Sequence, residues 1–199
     1  EVDFVLALLN SMMKIELSGD KNAFAYEFEE VPGGVNFKFT SYRLARLFSG
    51  KLREKFGAFL KESFKVVGFD RSSGTRVSRL TISVRLPRFR SGDLILFNGR
   101  VLRYDLFRGN RFRCLDLERW EESYVPYKDV WSGRVKFLAG GGALYEGMVV
   151  SVYDDVVQVM DSSSYELFEA FRPVNSVFSN GDLVKYFIFD GKVFLVALK

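Results

Sequence analysis

The 199 residues carry 29 Lys and Arg against 25 Asp and Glu, and 48% of them are hydrophobic, enough to bury the core of one large domain or of two to three small ones. The complete absence of His and the single cysteine, Cys114, exclude within this chain a Ser-His-Asp triad, a Cys-His pair, an intrachain disulfide and a His- or Cys-rich metal site. The modest net charge of +4 conceals an uneven distribution: residues 1–40 hold 3 basic and 7 acidic side chains, residues 41–119 hold 19 and 7, and residues 120–199 hold 7 and 11. A strongly basic middle between acidic flanks points to a polyanionic partner, most often nucleic acid, against the plainer alternative of a solvated basic face.

In chain order, Val2–Lys14 reads as an amphipathic helix, because Val5, Leu8, Leu9 and Met12 fall at i, i+3, i+4 and i+7. Phe24, Tyr26 and Phe28 alternate with polar or small residues, Pro32-Gly33-Gly34 makes a turn, and Val35, Phe37 and Phe39 alternate again, so a hairpin is expected. Ser41 is placed to cap the next helix, whose apolar stripe is Leu44, Leu47, Phe48, Leu52 and Phe56. Gly57 can end it in a left-handed conformation. On its outer side Arg43, Arg46 and Arg53 lie near one another. Two further strands then surround a turn at Asp70–Gly74. If they pair, Lys61, Lys65, Arg79 and Arg85 share one sheet face, where like charges repel unless something offsets them. Residues 1–90 are therefore expected to form an α+β domain of helix, hairpin, helix, hairpin with an antiparallel sheet.

From Ser91 the pattern changes to short strands. Leu94–Phe97, Val101–Leu106 and Phe112–Leu117 are separated by Asn98-Gly99 and Gly109-Asn110, and Tyr124–Tyr127 and Arg134–Phe137 add two weaker runs. Five short strands over residues 91–137 predict a small SH3-like barrel, decorated by Arg100, Arg103, Arg108 and Arg111 near its turns, with Arg88 and Arg90 at the junction before it. Within it, Cys114 follows Phe112 at strand spacing and reads as a small buried hydrophobe. Leu138–Ala143, with Gly140-Gly141-Gly142, reads as a linker rather than a phosphate loop, since no Lys-Ser or Lys-Thr follows it. Residues 138–199 then supply five more strand-like runs, which predict an OB-like barrel with an acidic surface.

The residues Lys61-Glu62-Ser63, Val67-Gly68, Asp70, Gly74, the run Arg79–Pro87 and Gly92-Asp93 resemble the archaeal branch of the nonsense-mediated decay protein 3 family, the 60S ribosomal export adaptors. Gly33–Phe37 ahead of a basic helix, Val157–Asp161 and Phe171-Arg172-Pro173 extend the resemblance. It implies a factor that covers the tRNA-site side of the large ribosomal subunit and takes part in its maturation. It also implies a middle and distal part like the translation factor that assists polyproline synthesis, an SH3-like barrel followed by an OB-like one. Members of the family begin with Cys-rich zinc motifs, and this chain holds only Cys114, so zinc would belong to a preceding part. With Glu1 in place of an initiator Met, the sequence is expected to be a fragment of a longer protein.

The expected function is thus a non-enzymatic, cytoplasmic, monomeric factor that binds the large ribosomal subunit. Its rRNA contacts would be Arg43, Arg46, Arg53, Lys61, Lys65, Arg79, Arg85, Arg88, Arg90, Arg100, Arg103, Arg108 and Arg111, with ribosomal proteins or other assembly factors as further partners. No metal or other cofactor is expected in the chain, and no apolar run approaches the ~18 residues of a membrane span. The alternative is a protein-interaction scaffold without RNA contact. An enzyme is disfavoured because Glu62, Asp70, Asp93, Asp105 and Asp116 are scattered without acid–base spacing.

Overall fold

The computed structural model describes residues 25–198 apart from Gly33, Ser73 and Asn175, together with Ala7. Apart from Ala7, the residues of the expected helix at Val2–Lys14, and the Gly33 part of the first turn, lie outside the described residues. The chain divides into two compact units, residues 1–86 and 87–199.

The N-terminal unit is built on two hairpins and a helix. Strands β1 (Ala25–Val31) and β2 (Gly34–Phe39) pair antiparallel, and a Lys38–Glu27 ion pair of 2.6 Å crosses them. Helix α1 (Tyr42–Phe56) follows. Ser41 stands at its N-cap in extended conformation but makes no side-chain cap bond, and only its carbonyl accepts, from the Ala45 N–H. Gly57 ends the helix at φ 67°, ψ 32°, a conformation open to glycine at little cost. Leu44, Phe48 and Leu52 are buried as the helical period requires, whereas Leu47, placed in the apolar stripe by the same period, is exposed at its edge. Phe48, Leu52 and Ala58 form the core with Phe37, Phe39, Phe56, Val84 and Leu86.

Strands β3 (Phe59–Asp70) and β4 (Thr75–Arg85) form a long ribbon. Its 12-residue first strand measures about 40 Å at ~3.3 Å per residue. The 15-residue α1 measures about 22 Å and covers only part of it. Phe64, Val66, Phe69 and Val77 are consequently exposed on the outer half, Phe64 at 59% and Phe69 at 60%.

The second unit starts at Pro87. Phe89 is buried in its core, so the chain has entered the next module before Arg90, the expected end of the first domain. Strands β5 (Leu94–Phe97), β6 (Arg100–Arg108), β7 (Arg111–Asp116), β8 (Glu121–Pro126) and β9 (Lys136–Ala139) form an antiparallel sheet in the order β8-β7-β6-β5-β9, with helix α2 (Tyr127–Trp131) between β8 and β9. The β-ladder is open between β8 and β9. One face buries Phe89, Ile95, Leu102, Tyr104, Phe112, Cys114 and Val125.

Strands β10 (Tyr145–Val152), β11 (Val156–Asp161), β12 (Leu167–Phe171), β13 (Leu183–Phe189) and β14 (Lys192–Leu198) close a barrel in the order β10-β11-β12-β14-β13, antiparallel except for the β12–β14 pairing. Its interior holds Val149, Val157, Val159, Ala170, Val184, Tyr186 and Leu195.

The stretch 138–143 is not a linker. Lys136–Ala139 pairs with β5, and the turn at Gly141–Ala143 is docked: the Gly141 N–H donates to Asp93 Oδ1 at 3.0 Å, and a Cβ on Gly141 would stand 2.9 Å from the Gly92 carbonyl oxygen. Asp93 Oδ2 meanwhile accepts from the Arg90 N–H at 2.7 Å. Leu94, Val101 and Leu117 on the second face of the proximal sheet share a core with Phe194 and Val196 of the distal barrel, with Leu138 and Leu144 packed against it. The two β-modules are one packed body.

Candidate nucleic-acid interface

The register of β3 and β4 decides which cations stand together. Phe59 pairs with Arg85, Lys61 with Ser83, Ser63 with Thr81 and Lys65 with Arg79. Strand alternation therefore puts Lys61, Lys65, Arg79 and Arg85 on one face, as the sequence spacing implied. All four are exposed, and none has an ion-pair partner among the described residues. No acidic residue shares that face between Phe59 and Lys65 or between Arg79 and Arg85. Lys65 and Arg79 oppose each other directly, an arrangement that lowers sheet stability.

The opposite face, with Glu62, Phe64 and Val84, packs against α1. Arg46 donates to both Glu62 carboxylate oxygens, with Nη2–Oε2 at 3.0 Å, and its guanidinium lies 5.7 Å from the centre of the Phe64 ring. The Glu62 hydrogen bonds and charge raise the Arg46 pKa. The Tyr42 hydroxyl donates to the Ser78 carbonyl. The helix cations Arg43, Arg46 and Arg53 therefore do not join the ribbon cations on one surface, and Arg46 is already paired. Arg43 is exposed, and Arg53 has interactions of its own.

In the second unit the candidates separate in the same way. Arg103 lies on the face of the proximal sheet that meets the distal barrel. Its Nη1 donates to the Val196 carbonyl at 2.9 Å and its Nε stands 3.5 Å from Asp105, so it fastens two modules and is not presented to a ligand. Arg100 reaches the buried Asp116 at 3.5 Å. Arg108 and Arg111 pair across the Gly109-Asn110 turn, a second opposed cation pair, both exposed and without an ion pair among the described residues. Asn110 at φ 64° and Gly109 at φ 58° give the turn its tight left-handed form. Arg88 is exposed at the start of the unit, as is Arg90, which has partners of its own.

Sequence reasoning passed over the exposed ribbon residues Phe64, Phe69, Arg71 and Arg76, because alternation alone assigns Phe64 to a buried face. The usable signal was length: a 12-residue strand beside a 15-residue helix must outrun it. Cys114 is 1% exposed and burial pushes its thiol up to about 12, which leaves no thiolate at neutral pH. Among the described residues no group of three His, Cys, Asp or Glu side chains could hold a metal ion, and no helix is long and apolar enough to cross a membrane.

Residues 2–86, which include the whole ribbon, match the family model described as NMD3, second domain. The NMD3 match ends at Leu86, where the N-terminal compact unit also ends. No curated protein matches the chain. Among solved structures, eukaryotic translation initiation factor 5A from Methanococcus jannaschii is similar at 15% identity, over 56% of this chain and 91% of that one, with a TM-score of 0.33.

Proposed function

We propose that this protein is a non-enzymatic, cytoplasmic factor of large-ribosomal-subunit maturation that contacts rRNA phosphates through the basic face of the β3–β4 ribbon. The observation that carries the reading is the face itself: Lys61, Lys65, Arg79 and Arg85 in register, with Lys65 opposed to Arg79 and no carboxylate beside them. A sheet retains opposed cations at a cost in stability, and a phosphate backbone offsets that repulsion. The match of the same residues to the NMD3 second-domain model supports a ribosomal rather than a DNA partner. Arg108 and Arg111 supply a second contact from the proximal module. That module reads as SH3-like. The β10-β11-β12-β14-β13 closure, with its one parallel pairing, reads as OB-like.

Co-sedimentation with purified large subunits tests the reading. Affinity should fall steeply between ~50 and ~200 mM salt. Arg79→Glu with Arg85→Glu should weaken it further while the circular dichroism spectrum is retained and the melting temperature does not fall. A flat salt plot, or unchanged co-sedimentation of the double variant, would remove the ribbon from the site.

A further inference from the structure

The distal barrel has two unlike walls. The outer surface of β13 and β14 is covered, because Phe187, Phe189, Phe194 and Val196 pack into the core shared with the proximal sheet. The outer surface of β11 and β12 is open. There Val156 pairs with Phe171, Gln158 with Glu169 and Met160 with Leu167, all facing outward, since Val157, Val159 and Ala170 fill the interior. Phe171 is 61% and Leu167 55% exposed. In OB-like barrels the second and third strands form the customary ligand face.

The charges around this wall are negative. Glu169 stands within it, Asp154 and Asp155 form the β10–β11 turn, and Glu166 leads into β12; all four are exposed, and none forms an ion pair among the described residues. The nearby cations do not pair with these carboxylates: Arg172 donates to the Tyr153 and Ser176 carbonyls, and Lys192 stands 3.8 Å from Glu118 with its Nζ 6.0 Å from the centre of the Phe171 ring. Four unpaired carboxylates repel a phosphate backbone and attract Lys and Arg.

We infer that the β11–β12 wall docks a polypeptide segment of a protein partner that alternates apolar with basic side chains. Its apolar residues cover Leu167 and Phe171, and its cations pair with Asp154, Asp155, Glu166 and Glu169. This stands on the barrel alone and holds whether or not the ribbon contacts rRNA.

The test is an amide-shift titration of the isotope-labelled 199-residue chain with three probes: a 12-residue peptide alternating Leu and Lys, the matched Leu and Glu peptide, and a 12-nucleotide uridine RNA. The Leu/Lys peptide should shift amides across residues 154–171, and the other two should leave them in place. Phe171→Ser and Glu169→Lys should each weaken the Leu/Lys peptide by about tenfold. Unshifted amides outside the β11–β12 wall would show that each variant retains the fold. Failure of the Leu/Lys peptide to shift 154–171, wild-type affinity in both variants, or shifts of the same amides by the RNA would overturn the inference. So would concentration-dependent shifts of the same amides without probe, which would assign the wall to a second copy of this chain.

Discussion

Lys65 and Arg79 pull stability and binding in opposite directions. Converting one of an opposed pair to an acid replaces repulsion with attraction, worth about 0.2–1 kcal/mol in a sheet. Lys65→Glu should therefore raise the melting temperature of the N-terminal unit slightly and weaken large-subunit co-sedimentation at the same time. A solvated face would show the first effect without the second. At Asp161 the balance is different. Its carboxylate accepts from the Tyr186 hydroxyl at 2.6 Å and from the Ser163 and Ser164 N–H groups at 2.8 and 2.7 Å, and these bonds, the hydroxyl first, hold its pKa at about 2. Burial, reinforced by Asp161, pushes the Tyr186 phenol up. Since the folded carboxyl is the stronger acid, the stabilisation is complete above the ordinary carboxylate range, near pH 4, and is lost as pH falls through about 2. The raised phenol keeps its proton through pH 10, so the bond is intact between those limits. Tyr186→Phe should bring the Asp161 titration, followed by carboxyl carbon NMR, back toward its ordinary value and move acid unfolding to higher pH.

Elements differ in how far they could be read in advance. The hairpin β3–β4, its basic face and the Gly57 helix stop followed from alternation and turn chemistry, which are local. The docked turn at 141–143 did not, because three consecutive glycines look the same whether they swing free or press a backbone against Gly92. Nor did the roles of Arg103 and Arg46, whose partners Val196 and Glu62 are distant in sequence and become neighbours only through packing. Sequence spacing thus identified the ribbon half of the candidate site, while the other cations needed the fold to sort them. Gly147 is a further case. Its Cβ would meet Val159 Cγ1 at 2.5 Å and the Met160 carbonyl oxygen at 2.9 Å, so β10 can cross β11 here only without a side chain. Gly147→Ala should cost about 1–3 kcal/mol in urea unfolding of the barrel body.

At the scale of the whole molecule, the core shared by Leu94, Val101, Leu117, Phe194 and Val196 makes the two β-modules one cooperative body. Leu117→Ala should lower stability by about 2–5 kcal/mol, and hydrogen exchange should quicken in β6 and β14 together. Faster exchange in β6 alone would mean that the modules unfold separately. Asp93 bears on the same body. One carboxylate grips the backbone at Arg90, where the chain enters the proximal sheet, and at Gly141, where it leaves. Mechanically this is a clasp across the neck of a loop. Tension drawn along the chain between residues 87 and 144 passes over that clasp and the β5–β9 ladder beside it, bypassing β6, β7 and β8. A pulling experiment should then open the module at its neck first, and Asp93→Ala should lower that first rupture force while leaving the later ones in place.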